Sequence, residues 1–184
     1  MAWSTPLTAV SNATLTAAQW NASVRDNLLM TAPALATTAG SYFAVTGTNA
    51  IAQRIPSFSS QNGVETTTSA SYTGTLSGGA GTAGPSLTVT TGTKALVIWA
   101  CRQSNSSAGA NVWTSYAVTG ASSISPSDNY ALSYDSPVAG STCYHAYSAL
   151  ETSLTAGSNV FQMQYRASSG TASFGQRRLT VLPF

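Results

Sequence analysis

At 184 residues, with 7% of them charged against about 25% in an average soluble protein, the chain must build its polar surface from Ser, Thr, Asn, Gln and Gly. Its net charge of +2 comes from seven basic and five acidic residues, and no basic run exceeds Arg177 and Arg178. That leaves no patch able to neutralise the several phosphates a nucleic-acid binder needs, and no apolar run approaches the roughly 20 residues of a membrane span.

Residues 1–6 lack a basic segment followed by an apolar core, so the sequence reads as soluble without a secretion signal. Residues 1–14 have no period, yet carry Trp3, Leu7 and Val10 as isolated apolar groups. A free tail is expected to be more polar than this, and a terminus is ordered only when something ties it down. Two readings stand: a docking arm that buries Trp3, Leu7 and Val10 in a larger particle, or a terminus packed on its own helix.

Residues 15–30 predict the one helix of the chain. Its start carries a Thr16-x-x-Gln19 capping box and a Leu15/Trp20 pair at the spacing of a hydrophobic staple. Ala17, Trp20, Val24 and Leu28 fall on one narrow stripe, which a helix of about four turns must bury against a partner to be stable. The helix is expected to end before Pro33. A turn at 37–40 and two short strands at 42–45 and 50–55 predict a small β-hairpin around residues 46–49. Two strands bury too little to stand alone, so residues 15–56 read as an attachment and oligomerisation module. The polar, breaker-rich residues 57–63 read as a linker.

From Val64 the chain becomes a series of short β runs divided by Gly, Ser, Pro and Asn clusters. Strands are predicted near 64–73, 86–91, 94–101, 111–119, 129–134, 142–150, 158–167 and 173–182. Eight strands without a helix make a mainly β chain whose residues 64–184 form an eight-stranded, jelly-roll-like β-sandwich. Residues 95–101 are apolar on both faces, as for a strand covered on both sides. Residues 160–166 alternate, which turns Phe161, Met163 and Tyr165 to the core. The glycine-rich loop 77–84 has no Gly-Lys-Ser/Thr ending and no helix after it, so it is no phosphate cradle.

Catalytic groups are scarce. His145 is the only histidine, so a triad needs it with Asp128, Asp135 or Glu151 as orienter, and no Gly-x-Ser-x-Gly elbow is present. On a strand pattern it shares a face with Cys143 and Tyr147, as a core or interface histidine would. Asp128 and Asp135 flank a predicted strand and would lie roughly 23 Å apart if it is extended, beyond the roughly 5–10 Å of a glycosidase pair. Cys101 and Cys143 stand 42 positions apart, which fits no zinc pattern, and free thiols are expected. The reading therefore assigns no catalytic residue, metal or cofactor. Trp113, Tyr130 and Tyr134, with Tyr144 and Tyr147, are either a stacking platform for a host surface glycan or core and interface filling.

Leu15-Thr16-Ala17-Ala18-Gln19-Trp20-Asn21-Ala22-Ser23-Val24-Arg25-Asp26-Asn27-Leu28-Leu29, followed by Ala36-Thr37-Thr38-Ala39-Gly40-Ser41 and Ala50-Ile51-Ala52-Gln53-Arg54, resembles the N-terminal module of virion proteins of tailed phages that infect actinobacteria. Such proteins are described as minor tail, tail-fibre or head-fibre proteins. Thr88-Val89-Thr90-Thr91-Gly92-Thr93-Lys94-Ala95-Leu96-Val97-Ile98 and Phe174-Gly175-Gln176-Arg177-Arg178-Leu179-Thr180-Val181 are similar to the β domains that follow that module.

The resemblance implies a non-enzymatic, trimeric structural component of the virion, assembled in the host cytoplasm and held by major capsid or tail proteins. A carbohydrate- or receptor-binding module is the alternative it leaves, with a polysaccharide-degrading or esterase enzyme behind both. If three copies meet on the Trp20 face, the heptad-like contacts are Ala17, Trp20, Val24 and Asn27, flanked by Leu28, and a buried Asn27 would fix the register.

Overall fold

The computed structural model describes residues 5, 7, 8, 10–78 and 84–184. It divides into two compact units, residues 1–55 with Phe184 and residues 56–183.

In the first unit the capping box is formed. Thr16 Oγ1 accepts from the Gln19 N–H at 3.2 Å, and Gln19 Oε1 accepts from the Thr16 N–H at 3.0 Å, which opens α1 (Ala17–Trp20). The helix then widens into a π turn (Asn21–Arg25) and continues as α2 (Asp26–Leu28). A π turn holds one extra residue, which rotates the succeeding turn by about 100° relative to a continuous α-helix. The expected stripe is therefore broken. Trp20 and Leu28 stand 54% and 60% exposed, while Asn27 is the buried residue of α2. Asn27 Nδ2 donates to Ser23 O at 3.0 Å, one turn back, so Asn27 is buried within its own chain. The helix ends at Leu28, before Pro33 as expected, and Pro33 sits in the first turn of α3 (Ala32–Leu35), where a missing N–H removes no helical bond.

The hairpin forms as predicted from β1 (Tyr42–Gly47) and β2 (Ala50–Arg54), with Asn49 in the left-handed region at φ 54°. Gln53 ties the preceding turn to it, accepting from Thr37 Oγ1 at 2.7 Å and donating to Ser41 Oγ at 2.6 Å.

The second unit is a β-sandwich of β3 (Ser57–Gln61), β4 (Glu65–Thr67), β5 (Ser86–Thr91), β6 (Ala95–Asn105), β7 (Asn111–Gly120), β8 (Leu132–Asp135), β9 (Thr142–Glu151), β10 (Gly157–Ala167) and β11 (Ala172–Pro183). The front sheet runs β5-β10-β7-β8 and the back sheet β3-β11-β6-β9, with β4 also paired to β11. The chain passes between the sheets in the order of two Greek keys, the jelly-roll arrangement.

The structure corrects three expectations. Residues 57–61 are no linker: they form β3, antiparallel to Arg177–Val181 of β11. Ser57-Phe58-Ser59-Ser60-Gln61 has little strand signal of its own, but the flank of β11 needs partners for its backbone groups, and that tertiary demand overrides propensity. The predicted strand 64–73 is correspondingly short. β4 covers only Ala172–Phe174 of β11, so β3 and β4 share one jelly-roll position on either side of a bulge between Gly175 and Arg178. Asp128 begins a 3-10 turn (Asp128–Tyr130) and β8 starts only at Leu132, so Asp128 and Asp135 do not end one extended strand.

The core lies between the sheets. Phe161, Met163 and Tyr165 of β10 are fully buried, as their alternation predicts, against Trp99 and Val97 of β6 and Phe174, Leu179 and Val181 of β11. Cys101 and Cys143 are both free. Burial pushes the Cys101 thiol up to about 12, which keeps it protonated and unreactive.

Candidate functional site

The first unit carries a groove of about 330 Å³, walled by Leu7 and Val10 of the arm, by Leu15 at the helix start and by Gln19, Trp20 and Val24 of the helix. The arm is drawn onto the helix by Leu7 N–H, which donates to Ser23 Oγ at 3.0 Å. Two residues assigned by sequence to particle attachment, Leu7 and Val10, thus stand on one wall system with two assigned to oligomerisation, Trp20 and Val24. Leu7 and Val10 remain largely open to solvent, as does Leu15. Ala17 is exposed outside the groove lining, and Asn27 and Leu28 lie beyond the π turn. Trp3 lies outside the described residues.

In the sandwich, the chemistry-bearing groups are dispersed. His145 stands on β9 opposite Cys101, its Nδ1 3.9 Å from Cys143 Sγ. No carboxylate bonds to it among the described residues. Asp128 is held by Arg166 and Tyr72, Glu65 by Arg177, and Glu151 accepts from the Tyr116 hydroxyl. Burial and that carboxylate raise the Tyr116 hydroxyl well above its ordinary range, which fixes it as a donor. Among the described residues no group of three or more His, Cys, Asp or Glu is placed to hold a metal ion, and no helix is long and apolar enough to cross a membrane.

The aromatic residues do not form one platform. Trp113 pairs with Ser133 and its ring carries the Arg166 guanidinium at 3.7 Å, on the outer side of the front sheet. Tyr134, one residue further along β8, points to the opposite side, where its hydroxyl donates to Ser141 Oγ at 2.8 Å and its ring lies 5.9 Å from that of His145. Tyr130 is 41% exposed in the 3-10 turn. Within one copy Trp113 and Tyr134 cannot stack on the same sugar.

What surrounds Trp113 is a clamp. Asp128 accepts from Arg166 through both carboxylate oxygens and from Tyr72 Oη at 2.7 Å, while Arg166 also faces the Tyr72 ring at 5.5 Å. This pins the loops carrying Tyr72 and Asp128 to the front sheet. The Arg166 hydrogen bonds, opposed by desolvation and aided by the hydrogen bond from Tyr72, hold the Asp128 carboxyl below the usual carboxylate range. A depressed folded-state value stabilises the fold above the unfolded value of about 3.9, and that contribution is lost as pH falls through the folded value. Asp128→Asn is expected to remove this acid-side loss. Urea midpoints at about pH 6 and pH 2.5 should fall further for the native chain than for the variant; equal falls would mean the clamp contributes nothing.

A second feature of the sandwich is the outer face of the back sheet, where Phe58, Tyr144 and Leu150 are exposed by 61%, 47% and 57%. Of these the sequence singles out only Tyr144, and the two-sided apolar run at 95–101 is the other sign of it. Tyr147, named with Tyr144, stands on the inner face against the Trp99 ring.

No protein-family model matches the chain, and no curated protein matches it. Among solved structures it is similar to the infectious bursal disease virus VP2 subviral particle, at 10% identity and TM-score 0.47 over 78% of this chain and 38% of that one. It is also similar to the structures of the Gx strain of that virus, at 10% identity and TM-score 0.44, and of the Gt strain, at 12% identity and TM-score 0.44. The chain spans 36% and 35% of those two chains and about the same share of the first.

Proposed function

We propose that this chain is a non-enzymatic structural protein on the exterior of a tailed-phage virion, a capsid decoration or head fibre, or a minor tail or tail-fibre protein. Its N-terminal unit attaches and trimerises it, and its jelly roll is displayed. The observation that carries this reading is the groove of the first unit. The sandwich closes its own core, whereas Leu7, Val10, Leu15 and Trp20 of the first unit leave an apolar groove open to solvent, at a cost in solubility that a docking partner would remove. The dispersal of His145 and the carboxylates supports the absence of catalysis. The burial of one Trp113 face under Arg166 leaves the glycan-binding alternative without a platform to favour it.

Antibody labelling of purified particles tests the placement. Label over the head surface means decoration, label along the tail means a fibre, and particles without label would refute the reading. Trp20→Ala is expected to abolish incorporation into particles and to weaken the oligomer in light scattering, with the thermal midpoint of the sandwich unchanged. Normal incorporation of that variant would remove the groove from attachment.

A further inference from the structure

The gap between β3 and β4 consists of Asn62, Gly63 and Val64, and both of its ends are tied to β11: Gln61 stands opposite Arg177 and Glu65 opposite Phe174. Asn62-Gly63 is the one Asn-Gly step in the chain. Both residues are exposed, and a Cβ on Gly63 would meet nothing within 4 Å. Among the described residues neither the Asn62 side chain nor the Gly63 N–H takes part in a hydrogen bond.

These are the conditions under which an amide side chain reacts with its own backbone. Bonding between an Asn carboxamide carbon and the nitrogen of the next residue closes a five-membered ring. What ordinarily prevents closure is a following Cβ that crowds the approach, or hydrogen bonds that hold the two groups apart. Glycine removes the first obstacle and lets the backbone rotate into the ring geometry. Exposure without hydrogen bonds removes the second. Two other asparagines give the contrast. Asn105 precedes the small Ser106, but it is 1% exposed, its Nδ2 donates to Ser169 O at 2.9 Å and its Oδ1 accepts from the Ser107 N–H at 2.9 Å. Asn159 is fully buried, precedes the branched Val160 and donates to Thr91 Oγ1 at 2.8 Å.

We propose that Asn62-Gly63 is a self-modifying site that passes through a cyclic imide to isoaspartate, and that the change loosens the grip of the β3–β4 segment on Arg177. The Gly63 nitrogen gives its proton to solvent base and bonds to Asn62 Cγ; the Cγ–Nδ2 bond breaks and that nitrogen leaves with a proton as ammonia. Water then adds to one of the two imide carbonyls. Addition at Cγ breaks its bond to the Gly63 nitrogen and leaves aspartate. Addition at the main-chain carbonyl carbon of Asn62 breaks that carbon's bond to the same nitrogen and leaves isoaspartate, whose chain runs through Cβ. Water is the only co-reactant.

Isoaspartate adds one main-chain atom to a span whose ends are fixed on β11, so the segment must bulge. The group this displaces is Gly63 O, which accepts from Arg177 Nη2 at 3.5 Å and lies two residues before Glu65, the counter-charge at 2.8 Å. Arg177 has few other acceptors, since its Nε and Nη1 are buried with no hydrogen-bond partner among the described residues. A buried guanidinium that loses an acceptor destabilises the fold around it. The site holds whether or not the chain is a virion protein.

Incubation of the full chain in mildly alkaline buffer, followed by peptide mapping with fragmentation that separates isoaspartate from aspartate, tests the site. The Asn62 peptide should convert first, with release of ammonia, while those of Asn105 and Asn159 stay intact. Gly63→Ala, which the open space admits, should all but stop the reaction. Earlier conversion at another asparagine, or an equal rate in Gly63→Ala, would overturn the assignment. Urea midpoints test the consequence. Asn62→Asp carries the new charge on a normal main chain, so the isoaspartate form should unfold at lower urea than that variant. Equal midpoints would overturn the loosening of Arg177.

Discussion

Glu65→Ala is expected to destabilise the sandwich by about 3–5 kcal/mol, far more than any other carboxylate replacement in the chain. Arg177 and Glu65 form an ion pair at 2.8 Å with side-chain exposures of 0% and 4%. Arg177 points inward because the bulge between Gly175 and Arg178, with Gln176 at φ 49°, breaks the alternation of β11. Once inside, its guanidinium faces the Tyr165 ring at 5.7 Å and reaches Gly63 O only at 3.5 Å. Removing Glu65 leaves that cation buried without its counter-charge.

The contrast is Arg25 and Asp26, with a similar separation of 2.7 Å but 61% and 49% exposed, where loss of one partner should cost about 0–1 kcal/mol. Replacing both buried partners, Glu65→Leu with Arg177→Met, should recover most of the loss, since the penalty comes from the orphaned charge. Chemical denaturation of the three variants measures this. A Glu65→Ala cost below about 1 kcal/mol would show that water reaches Arg177.

The parts of this fold that were legible in the sequence are those set by neighbours in the chain. The Thr16/Gln19 cap and the alternation of Phe161, Met163 and Tyr165 need only a few consecutive residues to declare themselves, and the jelly roll follows from counting such runs. The π turn was not legible because a one-residue slip leaves composition and spacing unchanged while moving Asn27 to the buried side. β3 was hidden because its Ser-rich sequence is shaped by the open flank of β11. For the candidate site, Leu7, Val10 and Trp20 were readable as apolar groups too exposed to be idle. Their convergence on one groove depends on how the arm folds back to Ser23, which no local pattern encodes. The separation of Trp113 from Tyr134 follows from strand parity only once the β7–β8 register, with Trp113 opposite Ser133, is known.

Trp99→Ala should be the most damaging replacement in the core, at about 3–5 kcal/mol. Trp99 is fully buried on β6 and touches both layers of the sandwich. Its ring lies edge-on to Tyr116 of the front sheet at 4.8 Å and to Tyr147 of β9 at 5.2 Å, while its Nε1–H donates to Thr114 O at 3.2 Å across the core. Three losses then coincide: the apolar burial and cavity, two aromatic contacts of about 0.5–1.5 kcal/mol each, and a hydrogen bond across the core of about 0.5–1.5 kcal/mol. They are not additive, because the aromatic terms are part of what the cavity removes.

Trp99→Phe separates them. It keeps most of the packing and deletes the hydrogen bond, so it should cost about 1–2 kcal/mol if the bond to Thr114 matters and much less if packing is everything. Urea titration read by circular dichroism, with an unchanged slope, is the measurement. A Trp99→Ala cost under about 1.5 kcal/mol would mean that the two sheets are held together elsewhere, at Phe161, Tyr165 and Phe174, and that Trp99 only fills the space between β6 and β9.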